Sequence, residues 1–68
     1  MEIINENGLT IYKGNNSVVL DVTDYNRLPN AYDFIDGLIG KDYKLISTEP
    51  FHLLGNSKKI YFSAYLVK

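Results

Sequence analysis

His52 is the single histidine of the chain, with Glu49 and Pro50 just upstream. A histidine working as an acid–base catalyst needs a nucleophile to serve or a carboxylate to orient it. Glu49 is the nearest acid in sequence, but there is no cysteine and no nucleophile-elbow pattern. The simpler expectation for His52 is an exposed residue on a hairpin arm. One histidine with scattered carboxylates is also a poor zinc set. Two Asp-x-x-Asp pairs stand out, Asp21/Asp24 and Asp33/Asp36. On a helix the second pair shares a face. It would hold magnesium or repel a phosphate, or simply be a solvated face with acids toward the positive helix end. No phosphate-cradling glycine motif is present. The expectation is therefore a protein without catalysis, cofactor or metal.

The tyrosines carry more. The last strand-like stretch, KKIYFSAYLVK, alternates Ile60, Phe62, Ala64 and Leu66 with Tyr61, Ser63, Tyr65 and Val67. A one-layer sheet ordinarily has one apolar and one wet face. Here the second face is half apolar and bears tyrosine. If Leu9, Ile11, Val18, Leu20, Val22, Tyr43, Leu45, Ile60, Phe62 and Leu66 face a helix, then Tyr12, Val19, Ile46, Tyr61, Tyr65 and Val67 lie opposite. Thr10, Thr23, Thr48 and Ser63 fall between them. Tyrosine joins apolar area to a hydrogen-bonding tip and is enriched at interfaces. It is also favoured on exposed sheet faces by β-propensity alone. Tyr12, Ile46, Tyr61, Tyr65 and Val67 are the candidate partner- or ligand-binding residues.

Turn signals set out the elements that position them. Asn7-Gly8, Gly14-Asn15-Asn16 and Gly55-Asn56-Ser57 punctuate the chain,. Residues 9–13 and 17–22 read as a hairpin, with residues 1–4 as a short edge strand. Pro29 suits a helix's first turn, Asn30 is the expected cap, and Ala31, Ile35, Leu38 and Ile39 share a helical face bordered by Phe34. Gly37 weakens that helix, and Gly40 is expected to end it as a left-handed cap followed by Lys41. A helix over 29–39 is about 16 Å long, too short to cover both faces of a sheet. After it, Tyr43, Leu45 and Ser47 alternate with Lys44, Ile46 and Thr48. Pro50 interrupts, FHLL resumes, and the last strand returns antiparallel. The expected fold is α+β: a small antiparallel sheet of about four to five strands with one amphipathic helix on one face, in the order β-β-(β)-α-β-β, as one domain over residues 1–68.

The segment DYKLIS, Pro50, the Gly55-Asn56-Ser57 turn and the aromatic stretch from Lys59 to Val67 resemble a small bacterial and phage domain family of unknown function. In that family a helix ending in Gly leads into a Gly-Trp-Glu-Leu-Val-Ser strand. Tyr43 stands where the family has Trp, and Asp42 where it has Gly. The resemblance covers residues 30–68 and implies a helix packed on an antiparallel sheet, with no catalytic residues. A second stretch, VVLDVTDYNRL followed by DFIDG, resembles the SepF cell-division family over a Val-rich strand and an Arg-containing helix.

Composition narrows the classes. The 68 residues hold 46% hydrophobic and 22% charged side chains, a globular balance,. A chain this short buries only about 60% of its unfolded surface, and without cysteine it has no covalent staple, so self-association is a natural support,. Seven basic and eight acidic residues give a net charge of −1, which argues against a nucleic-acid binder and against extensive DNA mimicry,. No apolar run approaches the roughly 20 residues of a membrane span, and the acidic MEIINENG start is unlike a signal peptide,. A cytoplasmic location is expected. Abundant Asn, Ile, Lys and Tyr suggest an AT-rich genome such as a low-GC bacterium or its phage. Two functions fit: a small binding protein acting through the Tyr-rich face, such as a phage-encoded inhibitor of host defence (an anti-CRISPR protein or a sponge for a nucleotide signal), or a self-assembling accessory domain. The expected partners are a second copy, with a dimer foremost, a protein target or a small nucleotide ligand.

Overall fold

Gly8 makes the first reversal. Its φ of +93° is a conformation that L side chains rarely adopt, and it closes the turn between β1 (Glu2–Glu6) and β2 (Leu9–Lys13),. The computed structural model describes residues 1–49, 52–53 and 59–68, and the side chains of 52, 53 and 59 are outside that description. A second tight reversal, closed by the Gly14 N–H donating to the Ser17 carbonyl at 2.8 Å, leads into β3 (Ser17–Asp24). A 3-10 turn (Tyr25–Arg27) and helix α1 (Leu28–Ile39) follow, then β4 (Lys44–Thr48), the two-residue β5 (His52–Leu53) and β6 (Lys59–Val67). The sheet order is β1-β2-β3-β6-β4, and β5 pairs β6 beyond the end of β4. Each recorded pairing is antiparallel. The fold is α+β, as the turn signals and periodicities require. β6, the C-terminal strand, lies inside the sheet between β3 and β4. The helix is the crossover joining those two strands, which run parallel to each other.

The core lies between one sheet face and the helix. Leu9 and Ile11 of β2, Val18, Leu20 and Val22 of β3, and Ile60, Phe62, Ala64 and Leu66 of β6 meet Ala31, Ile35 and Leu38 of α1. Ile4, Leu28, Phe34 and Tyr43 pack around them. The strand residues alternate with period two and the helix residues fall at i, i+4 and i+7. Tyr32 lies tilted against Phe62 at 5.7 Å between ring centroids, and Lys13 Nζ sits 5.6 Å from the Phe34 ring centre.

Several local expectations are corrected. β1 extends to Glu6 rather than stopping at Ile4. Asn30 is inside the helix, not its cap. The cap position is Arg27, whose side chain makes no capping bond, and the entry is organised upstream, where Asp24 Oδ1 accepts from the Asn26 N–H at 2.9 Å and starts the 3-10 turn. Gly40 is right-handed at φ −64°, while the left-handed residue is Asp42 at φ 71°. Asp42 tolerates that conformation better than most side chains. The Leu38 carbonyl then accepts from both the Lys41 and the Tyr43 N–H groups. Ile39 is exposed: Leu38 takes the core position, and Ile39 lies about 100° further round the helix,.

β4 also departs from strict alternation. Leu45 is opposite Leu66, but Ser47 is opposite Tyr65 and Thr48 opposite Ala64, so a bulge intervenes at Ile46. Directly opposed residues share a face. Ser47 therefore joins the face away from the helix and Thr48 the helix side, the reverse of simple alternation. Leu45 is on the helix side but exposed, because this edge strand lies beyond the helix's cover.

Candidate functional site

The cross-strand register aligns a row of side chains across the face opposite the helix. Ile3 is opposite Tyr12, Tyr12 opposite Val19, Val19 opposite Tyr65 and Tyr65 opposite Ser47. The row crosses β1, β2, β3, β6 and β4 at right angles to the chains, about 19 Å from end to end at the usual strand spacing. Ile46 stands beside its β4 end at the bulge. Ile3 is 59% exposed, Ile46 57% and Tyr65 39%, while Tyr12 and Val19 are half-buried by their neighbours.

Two flanking rows are polar or mixed. Two residues along β6 toward the C-terminus, Val67 is opposite Ser17 on one side and Lys44 on the other. Two residues the other way, Ser63 is opposite Asp21, which is opposite Thr10, which is opposite Asn5. The Glu49 N–H donates to the Ser63 carbonyl at 2.8 Å, which continues the register and puts Glu49 in this row. Tyr61 lies one step further, 41% exposed, with the backbone of His52 opposite it. The open face is thus an apolar stripe with a lysine on one flank and two carboxylates on the other.

Of the five candidate residues, Tyr12 and Tyr65 lie within the central row, Val67 in the first flanking row, and Tyr61 beyond the second. Ile46 is brought to the row's end by the bulge. Ile3 also belongs to the row. Its β-branched type was the available signal, but with Ile3 and Ile4 adjacent its face depends on the Asn7-Gly8 register. Glu49 joins the open face only through the β4 bulge, whereas Lys44, ahead of the bulge, lies there by simple alternation.

The acid pairs divide. Asp24 is occupied in capping the 3-10 turn, Asp21 lies on the open face, and Asp33 and Asp36 are exposed on the helix. Among the described residues, no three His, Cys, Asp or Glu side chains come together as a metal site would need. The His52 side chain lies outside the described residues, as do Pro50 and the Gly55-Asn56-Ser57 turn. A shallow groove of about 470 Å³ lies at the helix entry, lined by Tyr25, Asn26, Leu28, Pro29 and Tyr32. Among the described residues, no acidic or basic side chain lines it. No helix among the described residues is long and apolar enough to cross a membrane. No family model matches the chain, and no curated protein or solved structure matches it.

Proposed function

We propose that the protein is a non-catalytic interaction module that works through the open face of its sheet. The observation that carries this reading is the continuous row Ile3–Tyr12–Val19–Tyr65, which spans the sheet and which the described elements leave uncovered. Apolar residues scattered singly on a surface are ordinary, but a contiguous, flat band rimmed by polar residues is the composition of a contact site. Tyr12, Ile46, Tyr61, Tyr65 and Val67 are its contact residues, joined by Ile3 and Val19. Blocking a host-defence protein or retaining a nucleotide signal would each use these residues.

The reading is tested by placing a photoreactive phenylalanine analogue at position 65, and separately at the exposed helix position 39, in cells that express the protein. Cross-linked products from position 65 and none from position 39 are expected. No product from position 65, or equal products from both positions, overturns the reading.

A further inference from the structure

Which molecule the open face takes follows from how its charges lie about the central row, and this inference rests on the interaction reading above. On β6 the row passes through Tyr65. Lys44 is opposite Val67, two residues to one side, and Glu49 is in register with Ser63, two residues to the other. On β3, Ser17 is opposite Val67 and Asp21 opposite Ser63. Both β4 and β3 therefore carry polar groups on either side of the apolar row, and on β4 the mirrored Lys44 and Glu49 are oppositely charged. A two-fold axis laid along the row, between two copies packed face to face, exchanges the two flanks. It sets Lys44 of one copy over Glu49 of the other, and Ser17 over Asp21. Each contact occurs twice, as a closed two-fold interface demands.

The other simple choice is an axis parallel to the strands and centred on β3. It would lay Asp21 on its own symmetry mate, and like charges facing each other are penalised. Lys44 and Glu49 do not reach each other within one chain, since the β4 bulge sets them opposite Val67 and Ser63, four residues or about 14 Å apart along β6,.

We infer that the occupant of the open face is a second copy of this chain, in a two-fold dimer whose axis follows the Ile3–Tyr12–Val19–Tyr65 row and whose register is set by reciprocal Lys44–Glu49 pairs. The three rows span about 19 by 14 Å, well below the roughly 800 Å² per partner of a standard interface, so the dimer is weak, with a dissociation constant in the micromolar range or above.

Sedimentation velocity over a concentration series that brackets this constant tests the arrangement. The wild type should shift from monomer toward dimer. Lys44→Glu and Glu49→Lys should each weaken association about tenfold or more, because each reverses two contacts per dimer. The double variant Lys44→Glu/Glu49→Lys should return to near the wild-type constant. Both side chains are exposed, so the variants should melt with the wild type, and a melt at low concentration checks this. Association indifferent to either reversal, or a double variant that stays monomeric, overturns the axis. A wild type that is monomeric throughout overturns the dimer altogether. Cross-linking from position 65 to some other macromolecule would in that case leave the interaction reading standing.

Discussion

Replacing Gly8 and replacing Gly37 with alanine are the same chemical change, and they should have opposite signs. At Gly8 two penalties add. The backbone is at φ +93°, where an L side chain costs roughly 1–2 kcal/mol,. The new Cβ would also collide with Asp24 Cβ. Relieving such overpacking costs about 1–3 kcal/mol. The turn has little room to move away, because the Gly8 carbonyl accepts from the Thr23 N–H at 2.8 Å and the Asn7 carbonyl from Arg27 Nε at 3.1 Å. The sum is about 2–5 kcal/mol. The whole domain has only about 3–10 kcal/mol at usual per-residue stabilities. At Gly37 an added Cβ meets nothing within 4 Å, and the residue is exposed inside the helix. There alanine gains about 1 kcal/mol of helix propensity. For a domain of this size 1 kcal/mol moves Tm by about 4–8 °C. Circular dichroism melts at one protein concentration should therefore show Gly8→Ala at least about 10 °C below the wild type and Gly37→Ala about 4–8 °C above it. A Gly8→Ala protein that melts with the wild type, or a Gly37→Ala protein that melts below it, would refute this account of the β1–β2 turn and of the helix.

Other outcomes can be stated briefly. Leu20 is fully buried at the centre of β3, and Leu20→Ala should cost about 2–5 kcal/mol in urea unfolding, a large share of the domain's stability,. Asp24→Ala removes the acceptor for the Asn26 N–H and should cost about 1 kcal/mol in the same assay,. Tyr65→Ser should leave the far-ultraviolet spectrum native while shifting the sedimentation profile to monomer, since Tyr65 is an exposed aromatic member of the apolar row, paired with Val19 and Ser47. Raising salt from about 0.1 M to about 1 M shortens the screening length from about 10 Å to about 3 Å, so it should erase the difference between the wild type and the charge-reversed variants without abolishing apolar association.

The parts of the fold legible in the sequence are those where a local rule and the tertiary packing agree. Asn7-Gly8 and the Gly14 turn fix β1, β2 and β3, and the alternation of β6 assigns Ile60, Phe62, Ala64 and Leu66 to the core. Pro29 and the Ala31, Ile35, Leu38 spacing place the helix within a residue of its start. The errors fall where a single residue decides. Asp24, six residues ahead of Asn30, captures the turn before the helix, because a 3-10 turn begins there first. Asp42 rather than Gly40 turns left-handed, because the helix end tightens on the Leu38 carbonyl before the chain reverses. The bulge at Ile46 carries no composition signal, yet it decides that Ser47 and Glu49 join Tyr65 and Ser63 on the open face. Tyrosine-bearing alternation was enough to point to that face. Its charge symmetry depends on the register of β4 against β6, which no local pattern encodes.

The most direct test of the dimer through the open face is a dilution series of amide proton–nitrogen correlation spectra. Two sheets stacking through the open face should make the amide signals of Tyr12, Val19, Ser63, Tyr65 and Val67 move together with concentration, while those of Tyr32, Asp36 and Ile39 on the helix stay still. Signals that move on the helix and not on these strands, or no movement up to the solubility limit, would contradict the account.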